Sequence, residues 1–243
     1  MSGRLTFVGS TTVQPLAARL GEAFKQHYPA VVLDIAAGGT KVGIQAVHDG
    51  TADIGMASRA LKPEEATGIQ QQQIALDVIA VVVHKDNPTN GLSMLQLHDI
   101  YVGSVDNWRD VGGPDMPIVV VTRAETSGTR GAFDELVLAG QSPGARNLKI
   151  AITAGDDADL VAMEMGDIGY VGFGNIDNRL KVLAIEGVPP TRETARDGTY
   201  PLTRPLSLLT GPLSQPLAQL FIDYAISAEG QKVVEDSGWL AAQ

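Results

Sequence analysis

The chain has 243 residues, 44% of them hydrophobic and 5% aromatic, enough to bury one large or two modest cores of an α/β protein. Its net charge of −10 and pI near 4.8 argue against a nucleic-acid partner, which needs a basic stripe. It contains no cysteine, which excludes disulfides, thiolate metal sites and cysteine catalysis, and suits an exported protein.

Along the chain, Leu5-Thr6-Phe7-Val8 reads as a short buried strand. Leu16, Leu20, Ala23 and Phe24 then follow the spacing of an amphipathic helix. Between them lies Gly9-Ser10-Thr11-Thr12-Val13-Gln14-Pro15, three hydroxyls where a strand hands over to a helix. Pro15 suits the first turn, where its missing N–H costs nothing. Residues 31–36 repeat the pattern: a strand, then Gly38-Gly39-Thr40-Lys41-Val42-Gly43, then helical Ile44, Ala46 and Val47. Ala52 to Arg59 reads as a strand delivering Ser58 and Arg59 at its end. Gln70 to Gln73 reads as the solvated surface of a helix.

Residues 78–83 form a continuous apolar run, the signature of a strand buried on both faces, and Asn87-Pro88 marks a turn after it. A helix near residues 94–101 and a turn-rich stretch at 103–117 lead to the strand Ile118-Val119-Val120-Val121. Next comes Thr122-Arg123-Ala124-Glu125-Thr126-Ser127-Gly128-Thr129-Arg130, and then a helix over residues 132–138. Residues 168–172 read as a strand, 187–205 as loop, 206–210 as a returning strand and 216–234 as helical. Crossings near Val83 and Leu206 predict a discontinuous lobe of residues 1–83 plus 206–243 and a second lobe of 84–205.

The stretch from Arg123 to Thr129 carries the most chemistry. A Ser-Gly-Thr opening a helix offers two hydroxyls, unpaired backbone N–H groups and the positive end of the helix dipole. Arg123 adds a guanidinium fork, which completes what a tetrahedral oxyanion needs. Taken alone, Ser127 and Thr129 read equally well as helix caps. Four segments with this chemistry at strand carboxyl ends are explained better by a common ligand. Arg59 could bind that ligand or pair with a nearby acid, and Glu125 could orient Arg123 or face solvent. Lys41 could add charge or point to water.

The four histidines share no metal-ligand spacing, and Trp108 and Trp239 read as packing residues. No Gly-x-Ser-x-Gly elbow or Walker loop is present, and no base, nucleophile or metal cluster accompanies the hydroxyl loops. The expectation is a binding protein without cofactor, not an enzyme. No apolar stretch is long enough to span a membrane.

With these residues in order, the chain resembles the phosphate-binding proteins of bacterial phosphate ABC transporters, of the class II periplasmic-binding-protein fold. The likeness rests on Gly9 to Pro15, Gly50 to Arg59, Asp86-Asn87-Pro88, Gln96 to Gly103 with Asn107-Trp108, Arg123 to Thr129, and Ser227 to Gln231. It implies an α/β, two-lobed protein with two doubly wound mixed sheets joined by a two-strand hinge. It implies inorganic phosphate in an interlobe cleft, delivered to the membrane permease of an ABC transporter. The expected ligand set is Ser10, Thr11, Thr12, Thr40, Ser58, Arg59, Arg123, Ser127, Gly128 and Thr129, with no metal. The resemblance further implies a monomer in the periplasm or on the extracytoplasmic surface, its export segment removed. The alternative is an oxyanion sensor or scavenger with another output. Two departures stand out: Gly39-Thr40-Lys41-Val42-Gly43 replaces a Ser/Gly-rich loop, and Ser58 stands where high-affinity members carry Asp. That Asp accepts the proton of hydrogen phosphate and so rejects sulfate.

Overall fold

A computed structural model describes residues 2–242. Its contacts divide the chain into two compact units. One comprises Met1–Asp77, Thr126–Gly128 and Arg204–Gln243, the other Val78–Glu125 and Thr129–Thr203. The chain therefore passes between units within the long strands, at 77/78 and 203/204, and briefly returns to the first unit at 126–128.

The first unit opens with β1 (Gly3–Gly9), α1 (Gln14–His27), β2 (Val31–Ala37), α2 (Thr40–His48) and β3 (Ile54–Ala57), then enters β4 (Gln70–His84). β1 pairs in parallel with β2, from Gly3↔Val31 to Gly9↔Ala37, and with β3, from Phe7↔Ile54 to Gly9↔Met56. Parallel neighbours need a crossover, and the amphipathic helices supply it. α1 turns Leu16, Ala17, Leu20 and Phe24 onto Leu5 and Phe7, all fully buried.

The second unit contains β5 (Gly91–Leu92), α3 (Met94–Val102), a 3-10 turn at Trp108–Val111, β6 (Val119–Arg123) and all but the first residue of α4 (Gly128–Val137). It continues through β7 (Leu148–Ala151), α5 (Ala154–Val161), β8 (Asp167–Gly172), β9 (Leu180–Val182), β10 (Ala184–Ile185) and α6 (Arg192–Arg196). β6 pairs in parallel with both β7 and β8, whereas β8 runs antiparallel to β4 from Ile79↔Gly172 to Val83↔Ile168. α3 begins with a reciprocal cap, in which Ser93 accepts from the Gln96 N–H and Gln96 accepts from the Ser93 N–H, and stops at Gly103 with φ 84°. Trp108 is buried and its indole N–H donates to Gly166 O at 3.0 Å.

β11 (Thr203–Thr210) returns the chain to the first unit, followed by α7 (Pro216–Ile226), α8 (Ala228–Asp236) and β12 (Leu240–Ala241). β11 lies antiparallel to β3, with Ser207↔Ala57 and Leu209↔Gly55, and neighbours β4. Phe221 of α7 joins the α1 core, with its ring 4.9 Å from that of Phe7 and 5.1 Å from that of Phe24.

Two sequence readings are corrected and a third is refined. Gln70 to Gln73 begin β4 and are not helical; their exposure alternates, as a pleated strand requires, and β12 pairs with the strand just beyond at Leu240↔Leu76. The loop at 187–205 contains α6, capped by the Thr191 hydroxyl accepting from the Thr194 N–H. The helical region after Pro216 is two helices broken at Ser227, whose extended backbone ends α7 and whose hydroxyl accepts from Gly230 N–H to start α8. Among the described residues, no helix is long and apolar enough to cross a membrane.

Candidate functional site

In the first unit the register of β1 and β3 brings their carboxyl ends together, since Gly9 pairs with Met56. The loops leaving them start from one level, and their hydroxyls meet. Ser10 N–H donates to Met56 O at 2.9 Å. Ser10 Oγ accepts from the N–H groups of Thr12 (3.2 Å) and Val13 (3.4 Å), shaping the turn into α1, and donates to Ser58 Oγ at 2.9 Å. Ser58 N–H donates to Thr40 Oγ1 at 3.1 Å, and the Ser58 and Thr40 hydroxyls stand 3.5 Å apart. Ser10, Thr12, Thr40 and Ser58 are all buried, whereas Thr11 is half-buried. Having accepted from Ser10, Ser58 retains its own proton for Thr40 or for a guest.

Two glycines admit the remaining elements. Gly39 has φ +92°, open to glycine at little cost, and donates to Gly9 O at 2.8 Å beside the Gly38 N–H at 2.9 Å. A Cβ on Gly39 would stand 2.5 Å from Thr126 O, which also accepts from Lys41 N–H at 3.2 Å. Gly128, the first residue of α4, lies so close to the pair that a Cβ there would collide with Thr40 Oγ1 and Ser58 Oγ. The backbone of Gly128 therefore rests on buried hydroxyls. Ser127 is buried beside it, whereas Lys41 and Glu125 are exposed to solvent.

Arg59 is buried and adopts the second of its two expected roles. Its Nη1 and Nη2 donate to Glu65 Oε2 and Oε1 at 2.6 and 2.7 Å, and Nη1 also donates to Ala60 O at 2.8 Å. The Arg59 hydrogen bonds hold the Glu65 carboxyl below its usual range. Gln71 Nε2 donates to Arg59 O at 3.1 Å, and its Oε1 accepts from Leu61 N–H at 3.0 Å.

In the second unit Arg123 and Thr129 are buried. Arg123 is held on three sides: its N–H donates to Tyr170 Oη at 3.3 Å, its carbonyl accepts from Arg130 Nη1 at 3.1 Å, and its Nη2 donates to Ile152 O at 3.1 Å. Tyr170 is fixed by Thr122 Oγ1 at 2.8 Å and stacks on Phe133, with ring centroids 4.0 Å apart and planes 7° apart. Arg130 is clamped by both oxygens of Asp134 at 2.9 and 2.6 Å. Sequence reading overlooked Tyr170, Arg130, Gln71 and Glu65; only the i, i+4 spacing of Arg130 and Asp134 offered a local signal.

Asp157 of α5 is fully buried, and a Cβ on Gly169 would stand 2.5 Å from its Oδ1. Burial pushes its carboxyl well above the usual range, against the opposing pull of the Arg123 charge and the Tyr170 N–H. With a raised folded value, stability is fully present below the unfolded value near about 3.9 and is lost as pH rises toward the folded one. Asp157→Asn should therefore gain on the parent by up to ~1.4 kcal/mol per pH unit above about pH 4. Chemical denaturation across pH 4–8 checks this, and a pH-independent offset between the two proteins would refute it.

The chain matches the PBP superfamily domain over residues 2–229. It is 31% identical to the phosphate-binding protein PstS of Bacillus subtilis, covering 98% of this chain and 81% of that protein. Against PstS of Pseudomonas aeruginosa the identity is 30%, over 99% and 83% of the respective chains. Its fold superposes on a phosphate ABC transporter substrate-binding protein with bound phosphate from Clostridium perfringens. The TM-score is 0.93 at 34% identity, with 99% of this chain and 100% of that one covered. An ABC-type phosphate transport receptor from Vibrio cholerae aligns with a TM-score of 0.84 at 30% identity, over 99% and 100% of the two chains.

Proposed function

The chain belongs to the PBP superfamily and, within it, to the family of the phosphate-binding protein PstS, and from that premise we propose that it binds inorganic phosphate for an ABC transporter. Its ligand set is Ser10, Thr11, Thr12, Thr40, Ser58, Arg123, Ser127, Gly128 and Thr129, with Arg59 engaged by Glu65. The observation that carries this reading is the buried chain of hydroxyls Ser10–Ser58–Thr40 with the start of α4 pressed onto it. Such a chain replaces the hydration shell of a compact oxyanion. The protein acts as a monomeric, non-catalytic receptor outside the cytoplasm and passes its ligand to a membrane permease.

The energetics suffice. A hydrogen bond to a charged group contributes roughly 1.5–3 kcal/mol, and micromolar affinity needs about 8 kcal/mol. Several hydroxyls, N–H groups and one guanidinium exceed that, with margin for desolvating the anion. Calorimetric titration with phosphate, sulfate, arsenate, molybdate and tungstate tests the assignment. Phosphate should bind at micromolar affinity or tighter, and no phosphate binding alongside tight binding of another anion would overturn it. Ser58 can donate as well as accept, so it rejects sulfate less strictly than a carboxylate would. The preference for phosphate should stay below about a hundredfold, some 2.7 kcal/mol. A stronger preference in sulfate competition would locate the discrimination elsewhere.

A further inference from the structure

Beneath Ser58 lies a second set of buried polar groups, contributed by β4 and β11. Arg204 and Asp77 are 2% and 1% exposed and form an ion pair, with Arg204 Nη2 and Nε donating to Asp77 Oδ2 at 2.8 and 3.1 Å. The third arm of the guanidinium, Nη1, donates to the carbonyl of Ser58 at 3.4 Å. One turn of the loop further on, Gln71 Nε2 donates to the carbonyl of Arg59 and to Ser207 Oγ (3.1 and 3.0 Å), while its Oε1 receives Leu61 N–H. With Ser58 N–H already given to Thr40 Oγ1, the backbone from 58 to 61 is fastened on both sides.

A buried ion pair is weak evidence for stability, since removing two charges from water costs about as much as their attraction returns. Its value lies in where the guanidinium fork points. Arg204 offers donors in a rigid plane, and Asp77 fixes that plane so that the remaining arm reaches Ser58 O. We propose that Arg204, oriented by Asp77, and Gln71 are positioning residues for Ser58: they hold its peptide so that the hydroxyl stays aimed at the ligand. The inference rests on the phosphate-binding reading, because Ser58 matters as a contact only if an anion is bound there.

The test separates positioning from folding. In the double variant Asp77→Leu/Arg204→Met, both charges give way to apolar side chains, a change that buried pairs tolerate with little loss of stability. The variant should melt close to the parent yet bind phosphate about tenfold more weakly, with Ser58→Ala costing less affinity in it than in the parent, a non-additivity expected of coupled residues. A variant that melts normally and binds like the parent, or a Ser58→Ala penalty equal in both backgrounds, would overturn the inference. If the double variant does not fold, the same cycle is run with Gln71→Leu, which keeps the ion pair. There about threefold weaker binding coupled to Ser58→Ala supports the inference, and unchanged affinity overturns it. If the parent itself ignores phosphate, the functional reading fails first, and whichever anion of the titration panel binds takes its place in the cycle.

Discussion

Arg123→Ala is expected to weaken phosphate binding at least tenfold, about 1.4 kcal/mol, and up to the roughly 3 kcal/mol that one charge-assisted hydrogen bond contributes. The chain is acidic overall, so a local positive charge must offset a repulsive field. Arg123 is also held in place within its own unit: Tyr170, Arg130 and Ile152 O engage its amide, carbonyl and guanidinium. A pre-ordered donor loses little entropy on binding, which is why its removal should be felt almost in full. Arg123→Lys keeps the charge but loses the fork and should fall between the two. Calorimetry on all three proteins decides, and an alanine variant with parental affinity would remove Arg123 from the ligand set.

The second large effect concerns a side chain that is missing. Gly128→Ala adds a single methyl group in direct collision with Thr40 Oγ1 and Ser58 Oγ. Both hydroxyls are fully buried, and Ser58 is tied to Ser10, so neither can swing into open space. Overpacking of this kind costs roughly 1–3 kcal/mol of stability. The relief available is to move Gly128 away from the hydroxyls, which would break the proposed ligand set at the same time. We expect Gly128→Ala to lower both the melting temperature and phosphate affinity, the latter by more than tenfold, about 1.4 kcal/mol. Glu135→Gln, at an exposed position of the same helix, serves as the comparison. If Gly128→Ala binds phosphate as well as the parent, the close approach of α4 has no bearing on the ligand.

Much of this arrangement was legible in the sequence, because its signals are local. Hydroxyl-bearing turns between apolar runs and amphipathic segments mark β1–α1, β2–α2 and the end of β3, and the Ser-Gly-Thr unit marks the start of α4. Each is a statement about a dozen neighbouring residues. What escaped was set by partners far along the chain. Gln70 to Gln73 are polar and repetitive, and only pairing within a sheet makes Gln71 face inward to Arg59 O and Ser207. Arg204 and Asp77 lie 127 positions apart, and no spacing rule links them. The two roles open to Arg59 could not be separated without knowing that Glu65 turns back toward it. Tyr170 reads as an ordinary strand residue until β8 is placed beside β6, where its hydroxyl meets Thr122.

The interrupted path of the chain also bears on its biosynthesis. β3 has one edge on β1 and the other on β11, and the core against α1 needs Phe221 and Leu217. A nascent chain emerging from the ribosome can thus present both segments of the second unit, Val78–Glu125 and Thr129–Thr203, before β11 and α7 of the first. The amino-terminal strands must wait, with apolar edges uncovered, until residues beyond Arg204 have been added. A truncation just short of β11 would leave them permanently in that state, so the segment from β11 onward is the one that seals the first strands.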